Sequence, residues 1–275
     1  MTKVLIVKNE DKRIYYIKRY LSRFIQIEEI IDELQLFYEL QNQNYDCIVL
    51  PIRGIKSNRI VDGTSISLTD NYLRMAKNKT IYTGLINKEL VSKCNENKIR
   101  LVTYLNEDTA IKNNYLTTEG IVEAIVNNSD KGIYKSNILI IGYGKLGSIC
   151  AKILKKFKSK ITIACRHEKD SLHAKISDFN VVNYTQLISV INNFDFIINT
   201  VPFPILNHSI IKKIENLEIL IIDVSSKPYG LDHEYAKSCS LNTLLLPGLP
   251  GKTAPRTAGE LIGEFIYQDI CGGEV

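Results

Sequence analysis

The sequence predicts an α/β protein of two parallel-sheet domains joined by a linking helix, with a C-terminal helix that crosses back to the first domain. Three observations carry this expectation. Short apolar runs at residues 4–7, 45–50, 138–141 and 219–224 alternate with segments of helical period, the order of a parallel sheet covered by helices. A polar stretch at 106–114 interrupts the alternation near mid-chain. The last apolar stripe, Leu261, Ile262, Phe265 and Ile266, has helical spacing and lies beyond the final strand. With 275 residues, 45% of them apolar and 24% charged, the chain can build two ordinary domains whose cores need neither disulfide nor metal.

Taken in order, residues 4–7 read as a buried strand and a helical pattern begins near Asp11. Residues 45–50 form a second strand that Pro51 ends, and 53–69 reads as loop. A short helix is expected at 68–77, then strands at 80–83 and 99–104 with a helix between them. Beyond the polar break, Thr117, Thr118, Glu119 and Gly120 open an apolar helix that Lys131 and Gly132 end. The second half places strands at 138–141, 161–165, 194–199, 219–224 and 243–246. The expected division is a substrate and partner domain at 1–115, the linking helix at 116–132, a nucleotide domain at 133–252 and the C-terminal helix at 253–275.

Composition excludes several classes. The net charge of +5 comes from scattered lysines with no run of five basic residues, unlike the dense basic patch of a nucleic-acid reader. Cys47, Cys94, Cys150, Cys165, Cys239 and Cys271 form no CxxC pair and no metal-ligand spacing with histidine, so no metal is expected and a reducing compartment is. No apolar run approaches the ~20 residues that span a bilayer, and the opening MTKVLIVKNED has no signal-peptide core. A cytoplasmic protein without membrane contacts is expected.

The sharpest local signal is Gly142-Tyr143-Gly144-Lys145-Leu146-Gly147 directly after the apolar run 138–141. Alone, a GxGxxG pattern is weak; between a strand and a helix it gains meaning. The helix is visible in the spacing of Leu146, Ile149, Cys150, Ile153, Leu154 and Phe157. Gly142 permits the tight turn, Gly144 lets the backbone approach a pyrophosphate, and Gly147 lets helix and strand pack closely. The free N–H groups of the helix start attract the phosphates. These features predict a Rossmann-like domain that binds a nicotinamide dinucleotide. The next strand chooses the form. NAD sites place Asp or Glu about 20 residues on, whereas this strand ends in Cys165-Arg166-His167. A guanidinium there suits a 2′-phosphate, so NADP is expected over NAD. Two later strand ends, Asn199-Thr200-Val201-Pro202 and Asp223-Val224-Ser225-Ser226, converge on the same crevice.

A family resemblance follows from these segments and the tail. Leu246-Pro-Gly248-Leu-Pro250-Gly251-Lys-Thr-Ala-Pro255-Arg256-Thr257-Ala-Gly259 resembles the PGLPG–AP–TAG signature of the family of dipicolinate synthase A subunits found in spore-forming bacteria. The IIGYGKLG turn, the ITIACRH strand end, the Asn199–Pro202 and Asp223–Pro228 segments, Val49-Leu50-Pro51 and Thr118-Glu119-Gly120 are also similar to that family. Asn9 and Glu10 stand where the family carries glycines, while Asp11 and Arg13 fit. Arg53 and Tyr229 also depart from the family pattern. The resemblance implies sporulation chemistry in the mother cell. The cyclic 4-hydroxy-tetrahydrodipicolinate made by dihydrodipicolinate synthase is converted to dipicolinate by loss of water and a two-electron oxidation. NADP is the implied acceptor, and the implied partner is the flavoprotein-like B subunit; a homo-oligomer stays open. The same scaffold serves other NAD(P)-dependent dehydrogenases of small carboxylates, of shikimate or amino-acid type, and non-enzymatic nucleotide-sensing modules.

A dicarboxylate substrate needs cations or N–H donors. Arg53, Lys252 and Arg256 are candidates; Arg256 stands beside Pro255, a residue suited to a helix start. Thr118, Ser226, Gly248, Pro250 and Thr257 complete the expected substrate contacts. Proton removal needs a base near the reacting carbon. Glu119 is the first candidate, with a favourable charge at a helix start as its alternative reading, and Asp223 is the second. His167, His173, His208 and His233 fall in polar segments and read as surface residues.

Overall fold

Runs of isoleucine and valine become central strands, and helices with one apolar stripe cover them. The computed structural model describes residues 2–56 and 58–272. It divides into two compact units, Met1–Lys112 with Ala254–Val275, and Asn113–Thr253.

In the first unit the chain runs β1 (Lys3–Val7), α1 (Lys12–Leu21), β2 (Gln26–Ile30), α2 (Glu33–Asn42), β3 (Cys47–Val49), α3 (Asp70–Met75), β4 (Thr80–Thr83), α4 (Lys88–Glu96) and β5 (Arg100–Thr103). The five strands pair in parallel in the order β2-β1-β3-β4-β5. Successive strand residues supply opposite faces: Leu5, Val7, Ile48 and Ile81 join one buried cluster, and Val4, Ile6, Cys47 and Val49 the other. Most of these side chains are fully buried, each contributing about 1.5–3 kcal/mol. The 53–69 loop carries Ile55, Val61, Ile66 and Leu68 into that core; its residue 57 lies outside the described residues.

Helix α5 (Glu107–Asn128) carries the chain from the first unit into the second. It starts ten residues before the helix expected at 117. The polar stretch read as a break is its first turns, with Glu107 and Asp108 at the positive helix end and Asn106 Oδ1 accepting from Thr109 N at 2.9 Å.

The second unit runs β6 (Asn137–Ile141), α6 (Lys145–Lys155), β7 (Lys160–Ala164), α7 (Glu168–Ile176), β8 (Asn180–Val182), α8 (Leu187–Val190), β9 (Phe196–Asn199), α9 (His208–Ile211), β10 (Leu220–Asp223), α10 (His233–Ser238), β11 (Asn242–Leu245) and α11 (Pro250–Thr253). Its parallel sheet has the order β11-β10-β9-β6-β7-β8, the doubly wound Rossmann arrangement. Two edge strands, β2 and β8, were not expected. Both are only partly buried, and β2 carries Glu28 and Glu29, so neither shows a run of buried apolar residues.

The tail returns to the first unit as α12 (Pro255–Ile270). Ile262 and Ile266 enter the cluster of Ile14, Ile17 and Leu21 on α1. Contact with α1 is close at Gly259, where an added Cβ would stand 2.6 Å from Tyr16 Cβ and 2.7 Å from the Arg13 carbonyl oxygen. At its far end, Asp269 accepts from Tyr82 Oη at 2.6 Å and from both Arg100 nitrogens at 2.7 Å. The Arg100 hydrogen bonds hold the Asp269 carboxyl below its ordinary range against the opposing effect of burial. A lowered carboxylate contributes stability above the ordinary pKa near 4 and loses it as pH falls through the folded value. Asp269→Ala is expected to cost about 2 kcal/mol at pH 7, since it strands a buried tyrosine hydroxyl. The gap between variant and wild type in urea unfolding should shrink at pH 3; a gap that grows there contradicts this.

Candidate functional site

In an open parallel sheet, ligands sit beyond the carboxyl ends of strands where the strand order reverses. In the second unit that point lies between β6 and β9, and the glycine turn follows β6. Gly142 has φ +95°, a left-handed conformation suited to glycine, and an added Cβ would meet Val201 Cγ2 at 2.5 Å and Thr200 Oγ1 at 2.6 Å. Gly147 is tighter still: its Cβ would lie 2.1 Å from the Gly142 carbonyl oxygen. Gly144 is the opposite case, with nothing within 4 Å of an added Cβ. It is the N-cap of α6 and no side chain caps the helix there. Two glycines thus serve packing, while the third leaves room over a helix start whose first N–H groups have no partners within the helix.

Beside this turn lies a cleft of ≈ 270 Å³ lined by Gly142, Tyr143, Gly144, Cys165, Arg166, His167, Asp170, Tyr184, Val201, Phe203 and Ile205. Larger hollows of ≈ 380 and ≈ 500 Å³ lie at the strands' amino ends, lined by residues such as Lys160, Asn180, Asp195 and Asn242. Of these three hollows, the smaller cleft is the one lined by the glycine turn at the start of α6. Arg166 and His167 are exposed at its rim, with Arg166 Nη2 3.1 Å from His167 Nε2. Burial pushes the Tyr184 phenol up to about 12, so it can donate a hydrogen bond at neutral pH. Tyr143 packs edge-on against Phe179 at 6.0 Å, and Leu146 packs onto the core. Cys165, Asp170, Tyr184, Phe203 and Ile205 were not among the expected site residues. Tyr184 follows β8, and the unrecognised strand hid its place.

Val201 lines the cleft, and Asn199 is fully buried. Thr200 Oγ1 donates to the Ile141 carbonyl at 2.9 Å, while Pro202 is exposed and Val224 and Ser225 are buried. Asp223 does not fit the role of base. It is fully buried and accepts from Asn199 Nδ2 (2.9 Å), Ser225 N (3.0 Å), Ser225 Oγ (2.7 Å), Gly230 N (2.8 Å) and Leu231 N (3.1 Å). Engaged by five donors and closed to solvent, the carboxylate anchors the loop after β10. The surface reading of His233 is also corrected: its Nε2 is buried beside Asp223.

Helix α5 reassigns two further residues. Glu119 is exposed in mid-helix, so its reading as a charge at a helix start falls away. Thr118 is fully buried, and its hydroxyl donates to the Asn114 carbonyl at 2.8 Å, which commits it within the helix. Gly120 shows what the tail signature does there: an added Cβ would meet Thr253 Oγ1 at 2.7 Å and Leu249 Cδ2 at 2.9 Å. Gly248 (φ +72°) and Ser226 are exposed, and Pro250 is buried at the start of α11.

The remaining candidates belong to the first unit, whose strand order reverses between β1 and β3. Asp11 follows β1, caps α1 and holds Arg13 through Nε at 2.9 Å and Nη2 at 2.6 Å. Burial alone would raise the Asp11 pKa; the Arg13 bonds, with Arg53 adding its charge, bring it below the ordinary value. Arg53 itself is exposed after β3. Arg256 Nε pairs with Glu260 at 3.0 Å on the surface of α12, beside exposed Thr257. Among the described residues no group of His, Cys, Asp and Glu is placed to hold a metal. No described helix is long and apolar enough to cross a membrane.

Comparison with known proteins agrees with this geometry. Residues 10–105 match the family model of the N-terminal domain of the dipicolinate synthase A subunit, and 138–245 that of the saccharopine dehydrogenase NADP binding domain. The A subunit of dipicolinate synthase from Bacillus subtilis (strain 168) is 28% identical over 237 residues, covering 83% of this chain and 78% of that one. Two solved structures share the fold. That of the A subunit of dipicolinate synthase from Bacillus halodurans has a TM-score of 0.83 at 24% identity, over 98% of this chain and 97% of that one. The corresponding structure from Bacillus subtilis gives 0.84 at 24%, over 98% and 96%.

The glycines make separable predictions. Gly147→Ala should destabilise the fold by ~3 kcal/mol or more, because the methyl meets backbone that cannot yield. Gly144→Ala should leave the melting temperature within about 2 °C yet weaken dinucleotide binding at least tenfold, as the methyl enters only the phosphate's space. Calorimetric melting and titration would check both; equal effects of the two variants on stability would contradict the assignment.

Proposed function

We propose that this chain, a relative of the A subunit of dipicolinate synthase and an NAD(P)-dependent oxidoreductase, converts cyclic 4-hydroxy-tetrahydrodipicolinate to dipicolinate with NADP as acceptor. The observation that carries the reading is the open helix start at Gly144 with Arg166 at the end of the neighbouring strand. The residues fit the dinucleotide. Amides of the Gly142–Gly147 turn, with Tyr143, Lys145 and Leu146, hold the pyrophosphate, and Arg166 with His167 holds the 2′-phosphate. Asn199, Thr200, Val201, Pro202, Val224 and Ser225 bound the nicotinamide half. When bound, the nicotinamide accepts a hydride.

The conversion is a loss of one water together with two electrons and two protons. One hydrogen leaves with both electrons to the nicotinamide, and the other leaves as a proton to a base or to water. Glu119 is the base favoured by its exposure. Asp223 positions the loop that carries Ser225 and Ser226. Arg53 takes a substrate carboxylate, supported by its exposure and its place after β3 at the strand reversal of the first unit; Gly248 and Pro250 in the second unit, and Arg256 and Thr257 in the first, are further proposed substrate contacts. Aromatisation of the ring favours the oxidation, so the protein's share is mainly positioning. Partnership with a flavoprotein-like B subunit, and action in the mother cell during sporulation, are parts of the same reading.

The test is a pair of measurements. Saturating NADP at ~100 Kd should stabilise the chain by about 2.7 kcal/mol, with NAD well behind at the same concentration. Arg166→Ala should weaken NADP by roughly 10–100-fold, the value of a charge-assisted contact, and leave NAD within about twofold. Freshly made substrate with NADP should yield pyridine absorbance and NADPH, and Glu119→Gln should lower kcat while leaving the NADP dissociation constant unchanged. Equal stabilisation by the two nucleotides, or none, contradicts the reading.

A further inference from the structure

We propose that His233 is a positioning residue for the dinucleotide site: it presents an Nε2 hydrogen to the buried Asp223 carboxyl and through it sets Val201 in the cleft wall. The proposal rests on the NADP reading above.

The starting observation is an imidazole nitrogen without a partner. His233 opens α10 after its cap residue Asp232, and its Nε2 is shut off from solvent with no hydrogen bond. The facing group is Asp223 Oδ2 at 3.5 Å, within ion-pair range and just beyond hydrogen-bond reach. A buried polar atom left unmade is costly, and an imidazole lone pair aimed at a carboxyl oxygen that already serves as an acceptor is repelled. The arrangement is favourable in one state only, with the hydrogen on Nε2.

What lies beyond Asp223 gives that hydrogen its consequence. Oδ2 is held by the amides of Gly230 and Leu231. Oδ1 accepts from Asn199 Nδ2 at 2.9 Å, and the same Asn199 nitrogen donates to the Val201 carbonyl at 3.0 Å. The Val201 side chain lies where a Cβ on Gly142 would stand, 2.5 Å from Cγ2, and it lines the cleft. A continuous chain of contacts thus runs from His233 to the wall of the glycine turn. The returning loop adds a reason for a firm anchor. Tyr229 has φ +70°, a conformation that non-glycine residues hold only when the surroundings impose it. Its ring meets His233 edge-on at 6.3 Å.

The experiment compares His233→Leu with His233→Gln in the full chain, alongside ¹⁵N NMR of the wild-type imidazole at pH 8.5. Glutamine retains an N–H donor; leucine does not. The expected results are an Nε2–H tautomer, a KM for NADP raised roughly fivefold by leucine, the weight of one hydrogen bond, and recovery to about twofold of wild type with glutamine. kcat should change less than KM in both. An Nδ1–H tautomer, or leucine and glutamine variants that behave alike, would overturn the proposal; the tautomer decides it even where the leucine variant fails to fold. A wild-type chain that does not bind NADP would overturn the site and the proposal together, whereas wild-type binding with indistinguishable variants removes only the role of His233.

Discussion

Everything in the dinucleotide site depends on how closely helix α6 approaches the end of strand β6. The Gly142 carbonyl oxygen stands 2.1 Å from where a Gly147 Cβ would be, so any side chain at 147 would push the helix away. That contact aims the first turn of α6 across the strand ends, and the vacant space over Gly144 follows from it. Helix N-termini attract anions because several N–H groups point one way. Here no side chain caps that end, and the turn beneath it is braced by Thr200 bonding back to Ile141.

Both units solve the same problem with the same device. Each sheet reverses its strand order once, at β1/β3 in the first and at β6/β9 in the second, and each gathers polar groups at the carboxyl ends beside that reversal. In the first unit the device is filled by the chain itself: Asp11 caps α1 and accepts from the backbone N, Nε and Nη2 of Arg13. In the second it is left open to a ligand. Charge follows the same division, since Arg166 stands where a ribose-binding acid would select the other nucleotide.

How much of this was legible in the sequence varied with burial. Strands buried on both faces announced themselves as apolar runs, and the glycine turn could be read because each glycine answers to one steric demand. The edge strands β2 and β8 could not, since β2 carries Glu28 and Glu29 in mid-strand and β8 is only three residues long. The first turns of α5 looked like a break because an exposed helix start favours the polar residues that also favour loops. At the site, Arg166 and Val201 in the cleft lining were visible from strand ends. The roles of Asp223 and His233 were not: an aspartate after a strand reads alike whether it meets solvent or five donors, and only the returning loop at Gly230 and Leu231 decides between them.

The central claim is that backbone amides at one helix start receive the diphosphate while Arg166 and His167 receive the extra phosphate. Amide hydrogen exchange with each nucleotide tests it directly. The account predicts that NADP and NAD both slow exchange at residues 143–147, and that NADP alone slows it at 166–168. Unchanged exchange at 143–147 in the presence of saturating NADP would contradict it.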